Sequence, residues 1–289
     1  RFSTVLYLFV MTYHVWRQSR KTRIDAYLGF ASSSCAIVSR LMGRPSILLD
    51  DTEHNKFNHA LYRRFSTLIL TPYYFMKKIR DDQVYFDAYI EQLYLSKRDK
   101  QDTENYIFIR FIAYDAGHDS NIDTSVIAYY RNKIIEKLKL HYKLIISCES
   151  EDLKKTYKEY SGAFAPEEIH EVMRNAKLVI SDGATMASEA GVMGVAYVYT
   201  NPLAVGYIEE QIKTIPNSFR MSYKELNNAL DDNINFFEDS NLHLKTSLQF
   251  IDPTEMLLCL FSDLDHNISN LKGKRINHYF LEQMKLKRC

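Results

Sequence analysis

The sequence lacks the cysteine pattern of a zinc-binding or secreted protein. Its cysteines, Cys35, Cys148, Cys259 and Cys289, are scattered along 289 residues without a Cys-x-x-Cys pair. This spacing argues against a structural zinc site and against a disulfide framework, and it fits a reducing, cytosolic setting best. An internal repeat at solenoid spacing and a low-complexity segment are also missing, which excludes repeat proteins and biased linker sequences.

A long hydrophobic run is missing as well. The apolar run Val5–Met11 is interrupted by Thr12 and His14, and it is much shorter than the roughly 20 residues that a membrane span requires. The spacing of its apolar residues predicts a buried helix. A basic leader and a small-residue cleavage site are absent, so a signal peptide is not indicated. Because the sequence opens with Arg1 inside this element, we expect it to be part of a longer chain.

The sequence shows no excess of charge of one sign. Its 37 basic and 36 acidic residues leave a net charge of +1. Overall charge therefore implies neither a nucleic-acid partner nor an anionic membrane surface, and any anionic ligand must be held by local groups. The length is sufficient for one large domain or two ordinary ones, and we expect two.

Helical and strand patterns alternate in the first third of the chain, which is typical of a parallel sheet covered by helices. Periodicity weakens after Tyr73, and the charged stretch Lys97–Glu104 is predicted to be a solvated linker. The predicted elements are helix Phe2–Arg17, strand Asp25–Phe30, helix Cys35–Met42, strand Ser46–Leu49, helix Asn55–Phe65 and strand Thr67–Leu70.

The alternation resumes after the linker and predicts a second doubly wound unit. We therefore predict an α/β protein with two Rossmann-like domains, residues 1–96 and 104–289, the second ending in a helical tail from Tyr223 onward. Its predicted elements are strand Tyr106–Ile112, helix Thr124–Leu140, strand Lys143–Ser147, helix Glu167–Asn175, strand Leu178–Ser181, helix Ala184–Met193 and strand Ala196–Tyr199.

The turn after the strand Leu178–Ser181 is the first candidate site, because open parallel sheets bind ligands beyond the carboxyl ends of their strands. Gly183 and Ala184 leave the backbone uncovered, Thr185 offers a hydroxyl, and the free N–H groups of the following helix can meet a phosphate. Glu189, about one turn further along, can reach back to a ribose diol.

The same turn has a simpler interpretation. Asp182, which we include among the predicted ligand-binding residues, can instead cap the helix together with Thr185, and Glu189 can be a surface carboxylate. His170, on the helix Glu167–Asn175, is predicted to be either a rim contact of the ligand or a structural histidine.

Two further loops follow strands of the second domain. After the strand that contains Arg110, a loop carries His118 and Asp119. His118 can donate to a diphosphate or act as a general acid or base, with a polar turn as the alternative, and Arg110 and Asp119 are predicted to bind the ligand. Glu149, in the segment Ser147–Ser150, can contact a base or sugar or simply begin a loop.

The fourth candidate site follows the strand Ser46–Leu49 in the first domain. Its clustered carboxylates and histidine resemble an acid–base or divalent-metal site. A second cluster at metal spacing is absent from the sequence, so no metal is predicted, and the candidate bases are Asp51, Glu53 and His54. The alternative is a helix start capped by Asp51 or Thr52.

Five motifs in order give the sequence its resemblance to a known family: Gly43–His54, Tyr89–Tyr94, Arg110–Asp119, Pro166–His170 and Ser181–Ala190. With these motifs it resembles the prokaryotic glycosyltransferase-like proteins filed as a domain of unknown function, which are related to MurG-type transferases and non-hydrolysing UDP-GlcNAc 2-epimerases. The last two motifs are the most specific. The resemblance implies a GT-B fold, in which two Rossmann-like domains face a cleft and the C-terminal domain holds a nucleotide-sugar.

On that resemblance Gly183–Thr185 face the diphosphate and Glu189 faces the ribose. His118 and Asp119 lie across the diphosphate, and the Asp50–His54 loop approaches from the acceptor side. Two departures stand out. The N-terminal domain starts about halfway through the family's pattern and is expected to be truncated, and the turn lacks the Gly-Gly run that the transferases usually carry.

The function that the resemblance implies is a metal-independent glycosyltransferase of cell-surface polysaccharide assembly, with a UDP-sugar or similar donor as substrate and no cofactor. Its expected partners are that donor and a sugar or lipid-linked acceptor, without nucleic acid and with at most peripheral membrane contact. We expect a cytoplasmic location, which includes the inner face of the membrane. The alternatives are a sugar-nucleotide epimerase and a degenerate GT-B protein that binds a nucleotide without catalysis.

Overall fold

The structure is a computed structural model, and it describes residues 2–95, 104–114, 124–238 and 250–286. The strands are β1 Tyr27–Phe30, β2 Ser46–Leu49, β3 Leu68–Pro72, β4 Val84–Phe86, β5 Tyr106–Phe111, β6 Lys143–Cys148, β7 Leu178–Ser181, β8 Ala196–Tyr199, β9 Ser218–Arg220 and β10 Arg275–Ile276. The α-helices are α1 Phe2–Ser19, α2 Ser33–Leu41, α3 Lys56–Phe65, α4 Thr124–Leu138, α5 Glu151–Thr156, α6 Ile169–Asn175, α7 Ala184–Val192, α8 Gly206–Thr214, α9 Tyr223–Asp232, α10 Pro253–Ser262, α11 Leu264–Leu271 and α12 His278–Leu286.

The chain forms two compact units. Unit 1 combines residues 1–93 with 249–289, and unit 2 comprises residues 94–248. The prediction placed the whole C-terminal tail in the second domain, and this is wrong. Strand β10 extends the sheet of unit 1 by pairing with β4, and Met256, Leu260 and Leu281 of the tail are buried in the core of unit 1. Burial of this apolar surface accounts for the position of the tail.

Unit 1 is a parallel sheet in the order β1-β2-β3-β4-β10. Strands β2 and β3 are buried along their whole length, as expected for parallel strands that are covered on both faces. One core joins the sheet to α2 and α3 through Val38 and Tyr62, and another joins it to the C-terminal helices. These helices hold the ends of β2 and β3 in fixed positions, and the loops that follow the strands extend from there.

Helix α1 only partly fulfils the prediction of a buried helix. Val15 and Trp16 pack against the core of unit 1, but Leu6 and Phe9 are 57% and 69% exposed. The prediction is therefore wrong for the first half of the helix, although its bounds agree with the sequence pattern. Within the part of the chain that the structure describes, no helix combines the length and the apolarity needed to cross a membrane.

Unit 2 is a parallel sheet in the order β6-β5-β7-β8-β9. The chain forms β5, places β6 on one side of it, and then returns to place β7 on the other side. This reversal of direction makes the gap between β5 and β7 the topological switch point of the sheet. Ile109 and Ile180 of these strands pack against Leu138 of α4 and Leu226 of α9. The switch point is where a doubly wound sheet offers space for a ligand.

The predicted fold class is confirmed by this architecture. Strands β2, β7 and β8 have the predicted bounds, and Ser32 caps α2 with its side chain. Strands β4, β9 and β10 and helix α8 were not predicted. Each of the three strands is short and is defined by pairing with a neighbour.

Candidate ligand site of unit 2 and candidate proton site of unit 1

The turn between β7 and α7 leaves the amino end of the helix open. The hydroxyl of Ser181 accepts from the N–H of Gly183 at 3.1 Å and donates to its carbonyl at 2.8 Å. Gly183 is the N-cap of α7, and no side chain caps the helix. No described residue accepts from the N–H groups of Ala184, Thr185 and Met186. The positive end of the helix is therefore free to meet an anion.

The side chain of Asp182 points into unit 2. Its Oδ1 accepts from the hydroxyl of Thr200 at 2.5 Å and from the hydroxyl of Tyr223. Its Oδ2 accepts from the guanidinium of Arg131 and from the N–H of Ile112 at 3.4 Å. Asp182 therefore does not cap α7. Its carboxylate holds the turn by bonding to buried groups of unit 2, so backbone atoms form the outer surface of the turn.

The charges of this buried network are balanced. Burial raises the pKa of Tyr223 and of Tyr114, and the neighbouring Asp182 raises both further. Burial acts to lower the pKa of Arg131, but Tyr223 and Asp182 outweigh it, so the pKa lies above its ordinary value. The network thus consists of a charged Arg131–Asp182 pair and neutral tyrosines. The buried network therefore carries no net negative charge that would repel an anion at the turn.

Glu189 forms a small cluster with Tyr94 and His170. Glu189 is 6% exposed, and its Oε1 accepts from the hydroxyl of Tyr94 at 2.9 Å and lies 3.4 Å from Nε2 of His170. The alternative of a surface carboxylate is therefore wrong, and the side chain of His170 remains 38% exposed at the rim. Sequence reasoning missed Tyr94 as a site residue, although it ends one of the five motifs.

Arg110 lies beside the turn. It is in register with Ser181 on the neighbouring strand β7, and its guanidinium donates to the hydroxyl of Ser147 at 2.8 Å. Glu149 accepts from the N–H of Ala113 at 3.1 Å, so its carboxylate secures the backbone that follows β5. The structure therefore brings Arg110 to the predicted site and gives Glu149 a position in the adjacent loop.

A cavity of about 830 Å³ opens at the same edge of the sheet, beyond β8 and β9. Thr200, Asn201 and Pro202 follow β8 and line it, together with Met221 after β9. Thr200 also bonds to Asp182, so the wall of this cavity is tied to the network under the turn. The volume of this cavity lies within the range of small-molecule sites.

His118 and Asp119 lie outside the described residues, so their predicted roles stay predictions. Among the residues that the structure does describe, no group of His, Cys, Asp and Glu side chains is placed to hold a metal ion.

The loop after β2 in unit 1 is built on buried Asp50. Its Oδ1 accepts from the N–H of Thr52 at 2.7 Å, and its Oδ2 accepts from the hydroxyl of Tyr62. Nε2 of His59 lies 3.2 Å from that second oxygen. Helix α3 has Asn55 as its N-cap, so the prediction of a cap at Asp51 or Thr52 is wrong. Sequence reasoning missed His59 and Tyr62, whose spacing on α3 places them on its buried face.

The predicted bases Asp51, Glu53 and His54 have different environments. Burial, reinforced by the adjacent Asp50, raises the pKa of Asp51 to about 6. Glu53 is buried, and one of its oxygens accepts from the N–H of Met76 at 3.3 Å. His54 is exposed. The raised pKa of Asp51 lies in the range where a general base is effective.

The family comparison covers most of the chain. A family model described as "Protein of unknown function (DUF354)" matches residues 76–261. No curated protein matches the chain in sequence.

Solved structures share the fold at low sequence identity. A putative UDP-N-acetylglucosamine 2-epimerase from Listeria monocytogenes has a TM-score of 0.63 at 12% identity, covering 88% of this chain and 79% of that one. The UDP-GlcNAc 2-epimerase of Methanocaldococcus jannaschii, in complex with UDP-GlcNAc and UDP, gives 0.62 at 11% identity, with 88% and 80% covered. MurG of Acinetobacter baumannii gives 0.47 at 16%, with 80% and 70% covered. The epimerase structures confirm a GT-B-like fold of two Rossmann-like domains.

Proposed function

The chain belongs to the DUF354 family, and from this premise we propose that it is a nucleotide-sugar-dependent glycosyltransferase. The observation that carries the proposal is the pairing, in unit 2, of an open helix N-terminus at the topological switch point with a buried carboxylate one turn further along the same helix. These two features match the two parts that all nucleoside diphosphates share, which are the diphosphate and the ribose.

The diphosphate is assigned to the turn after β7. The N–H groups of Ala184, Thr185 and Met186 supply donors and the positive end of the helix dipole. Arg110, in register with Ser181 at the end of β7, supplies a guanidinium with several N–H donors. Together they would stabilise the negative charge that develops on a departing nucleoside diphosphate. This chemistry needs no cofactor and no metal.

The ribose is assigned to Glu189. A carboxylate can accept from both hydroxyls of a vicinal diol, and bonds to an ionised acceptor are stronger than neutral ones. Tyr94 and His170 hold one oxygen, Oε1, and thereby fix the rotamer of the side chain. No described residue donates to the other oxygen, Oε2, which is available to a ligand.

Within unit 1, Asp51 is the group best suited to accept the proton of an acceptor hydroxyl. With a pKa of about 6, it is mostly ionised at neutral pH and still basic enough to remove a proton as the new bond forms. We place the reaction in the assembly of a cell-surface polysaccharide on the cytoplasmic side, with a sugar or a lipid-linked sugar as acceptor and at most peripheral membrane contact.

Epimerisation of the nucleotide-sugar is the second candidate, and the same carboxyl group favours it. Epimerisation requires a proton to be removed from the carbon next to the anomeric centre while the bond to the nucleoside diphosphate breaks and a C=C bond forms. The diphosphate then adds back and the proton returns to the opposite face. A group with a pKa of about 6 can both accept and return a proton near neutral pH. Sugar transfer requires the carboxyl group only to accept a proton, which comes from the acceptor hydroxyl.

Ligand binding tests the shared premise. The melting temperature of the full chain is measured with UDP, other nucleoside diphosphates, UDP-GlcNAc and uridine. A ligand at 100 times its Kd stabilises the folded protein by about 2.7 kcal/mol. We expect a rise with at least one nucleoside diphosphate and none with uridine, because the turn holds the diphosphate. If no nucleotide raises the melting temperature, the proposal fails.

Product analysis then separates the activities. A transferase releases the nucleoside diphosphate only when an acceptor is present. An epimerase yields a nucleotide-sugar whose sugar has changed, without net release of the nucleoside diphosphate, and in deuterium oxide it incorporates deuterium next to the anomeric carbon. Binding without either product would indicate a protein that uses the nucleotide as a ligand only.

A further inference from the structure

Unit 1 contains a second cavity with an unusual concentration of positive charge. It has a volume of about 610 Å³ and lies at the amino ends of β2 and β3. Pro45 immediately precedes β2, and Thr67 immediately precedes β3. The Asp50 loop lies at the opposite end of the sheet, because it follows the carboxyl end of β2. The charged residues that line it are Arg40, Arg44, Arg64, Arg80, Lys272 and Asp82.

Arg80 and Asp82 have a structural role in this cavity. Arg80 pairs with Asp82 and donates to the carbonyl oxygens of Arg63 at 3.2 Å, Ser66 at 2.8 Å and Thr67 at 3.0 Å. These carbonyl groups belong to the end of α3 and to the residues that follow it. Arg80 therefore supplies hydrogen bonds to carbonyl groups that lack a partner within the helix. Among the described residues that line the cavity, Asp82 is the one carboxylate, and it is already paired with Arg80.

Three of the other four cations have no carboxylate partner among the described residues, and the fourth, Lys272, has only a distant one. No described carboxylate forms an ion pair with Arg40, Arg44 or Arg64, and the nearest one to Lys272 is Asp82 at 3.8 Å. Four cationic side chains therefore line one cavity in a protein whose net charge is only +1. Like charges gathered around a concave space create a local positive potential that attracts anions.

Helix dipoles explain part of this arrangement but not all of it. Arg40 and Arg64 lie in the last turns of α2 and α3, where a cation is favourable without any ligand. Arg44 lies in the loop after α2, where Gly43 has a φ of +63°, and Lys272 follows α11. Three separate parts of the chain therefore contribute cations to the same space.

We propose that this basic cavity binds the phosphate groups of a ligand that carries two or more negative charges. Guanidinium groups match phosphate oxygens with paired hydrogen bonds, and the volume lies within the range of small-molecule sites. The ligand is either a soluble phosphorylated compound or the phosphate headgroup of a lipid. The site lies wholly in unit 1, so it does not depend on the function proposed for unit 2.

Binding of inorganic pyrophosphate to the full chain, measured by titration calorimetry, tests the site. The test variant carries Arg44→Gln and Arg64→Gln, and Arg80 is left intact because it stabilises α3. The control variant carries Arg17→Gln and Lys21→Gln, which remove the same charge from an exposed part of unit 1 outside the cavity. We expect at least tenfold weaker binding in the test variant and a change within twofold in the control.

The source of the phosphate is determined with vesicles. Wild type and both variants are sedimented with phosphatidylcholine vesicles that contain phosphatidic acid, and with phosphatidylcholine alone. Selective loss of vesicle binding in the test variant identifies a lipid headgroup, and loss of pyrophosphate binding alone identifies a soluble ligand. Equal behaviour of the two variants in both measurements overturns the proposal. Nucleoside diphosphate binding is measured in parallel, and neither variant should change it. This measurement distinguishes a failure of the function proposed for unit 2 from a failure of the basic cavity to bind phosphate.

Discussion

Each unit places a buried aspartate directly after a parallel strand, and the two aspartates share a further feature. Asp50 follows β2 and Asp182 follows β7, and each accepts a hydrogen bond from a tyrosine hydroxyl, Tyr62 in unit 1 and Tyr223 in unit 2. Both carboxylates fix the loop that follows their strand by accepting from backbone or side-chain donors. The same local device therefore underlies both candidate sites.

The cationic partner differs between the two units. Asp182 pairs with Arg131, whose charge is permanent. Asp50 lies beside the imidazole of His59, whose Nε2 is 3.2 Å from the carboxylate. In unit 1 the negative charge of Asp50 helps burial to raise the pKa of the adjacent Asp51 to about 6. In unit 2 the negative charge is cancelled, and the next element presents open helix amides.

The difference assigns the two loops to different chemistry. A balanced network under an open helix N-terminus is suited to hold an anion without exchanging protons. A carboxyl group with a raised pKa beside a second carboxylate is suited to exchange a proton and poorly suited to hold an anion. The following predictions test this contrast, from the largest expected effect to the smallest.

Arg131→Met tests whether the permanent charge holds the unit 2 network together. It leaves Asp182 buried without its partner, and removal of one member of a buried pair typically costs about 3–5 kcal/mol. We expect a loss of this size in the free energy of unfolding, measured with urea. Arg131→Met combined with Asp182→Asn should recover part of the loss. A single variant less than about 1 kcal/mol from wild type would contradict a central role for the pair.

Glu189→Gln tests the anion-holding side of the contrast. A hydrogen bond to a charged group contributes about 1.5–3 kcal/mol, so the affinity for a nucleoside diphosphate should fall by about 10- to 150-fold. Calorimetry with the ribonucleotide and its 2′-deoxy analogue measures the effect, and the variant should distinguish the two less than wild type does. Glu167→Gln on the exposed surface is the control. Equal losses in both variants would remove Glu189 from the site.

Much of the fold could be predicted because its strands are short, continuous apolar runs with clear boundaries. Strand β7 has the bounds that the sequence predicted, and the helices begin at capping residues such as Ser32 and Asn55. Strands β9 and β10 could not be predicted, since each has only two or three residues and is defined by its neighbour. The tail was misplaced because a helical apolar pattern does not show which of two cores the helix joins, and only the structure places it in unit 1.

The site was only partly predictable because its orientation depends on distant residues. The sequence identified Glu189 and His170 as ligand-binding candidates, and the structure brings them together. It did not indicate that the carboxylate of Asp182 turns inward, since its partners Arg131 and Tyr223 are 51 and 41 residues away. A local pattern locates a turn after a strand, but only tertiary packing decides which side chain faces the ligand.

Asp51→Asn tests the proton-exchanging side of the contrast. A pKa raised from 3.8 to about 6 in the folded protein favours the protonated form, so its stabilisation is complete below pH 4 and is lost as the pH rises through 6. The asparagine variant avoids this loss and should be more stable than wild type by up to about 3 kcal/mol at pH 8.

Urea unfolding at pH 4.5 and pH 8 measures this effect, with exposed Asp25→Asn as the control. The advantage of Asp51→Asn should shrink at the lower pH, whereas the control should show no such dependence. If Asp51 is the base, turnover by wild type should also rise as the pH passes through about 6. An asparagine variant whose stability follows that of wild type at both pH values would show that Asp51 is not buried against Asp50.

Thr185→Val separates ligand binding from helix capping at the turn after β7. Thr185 is exposed and Gly183 occupies the N-cap position, so the free energy of unfolding should change by less than about 0.5 kcal/mol. Loss of one hydrogen bond to the charged diphosphate should weaken nucleotide binding by about 10-fold or more. Ser222→Ala is the matched opposite, because Ser222 caps α9 with its hydroxyl and its loss should cost about 1 kcal/mol of stability with unchanged affinity. Stability lost at Thr185 without any loss of affinity would make the hydroxyl a structural group and leave the anion to the backbone amides alone.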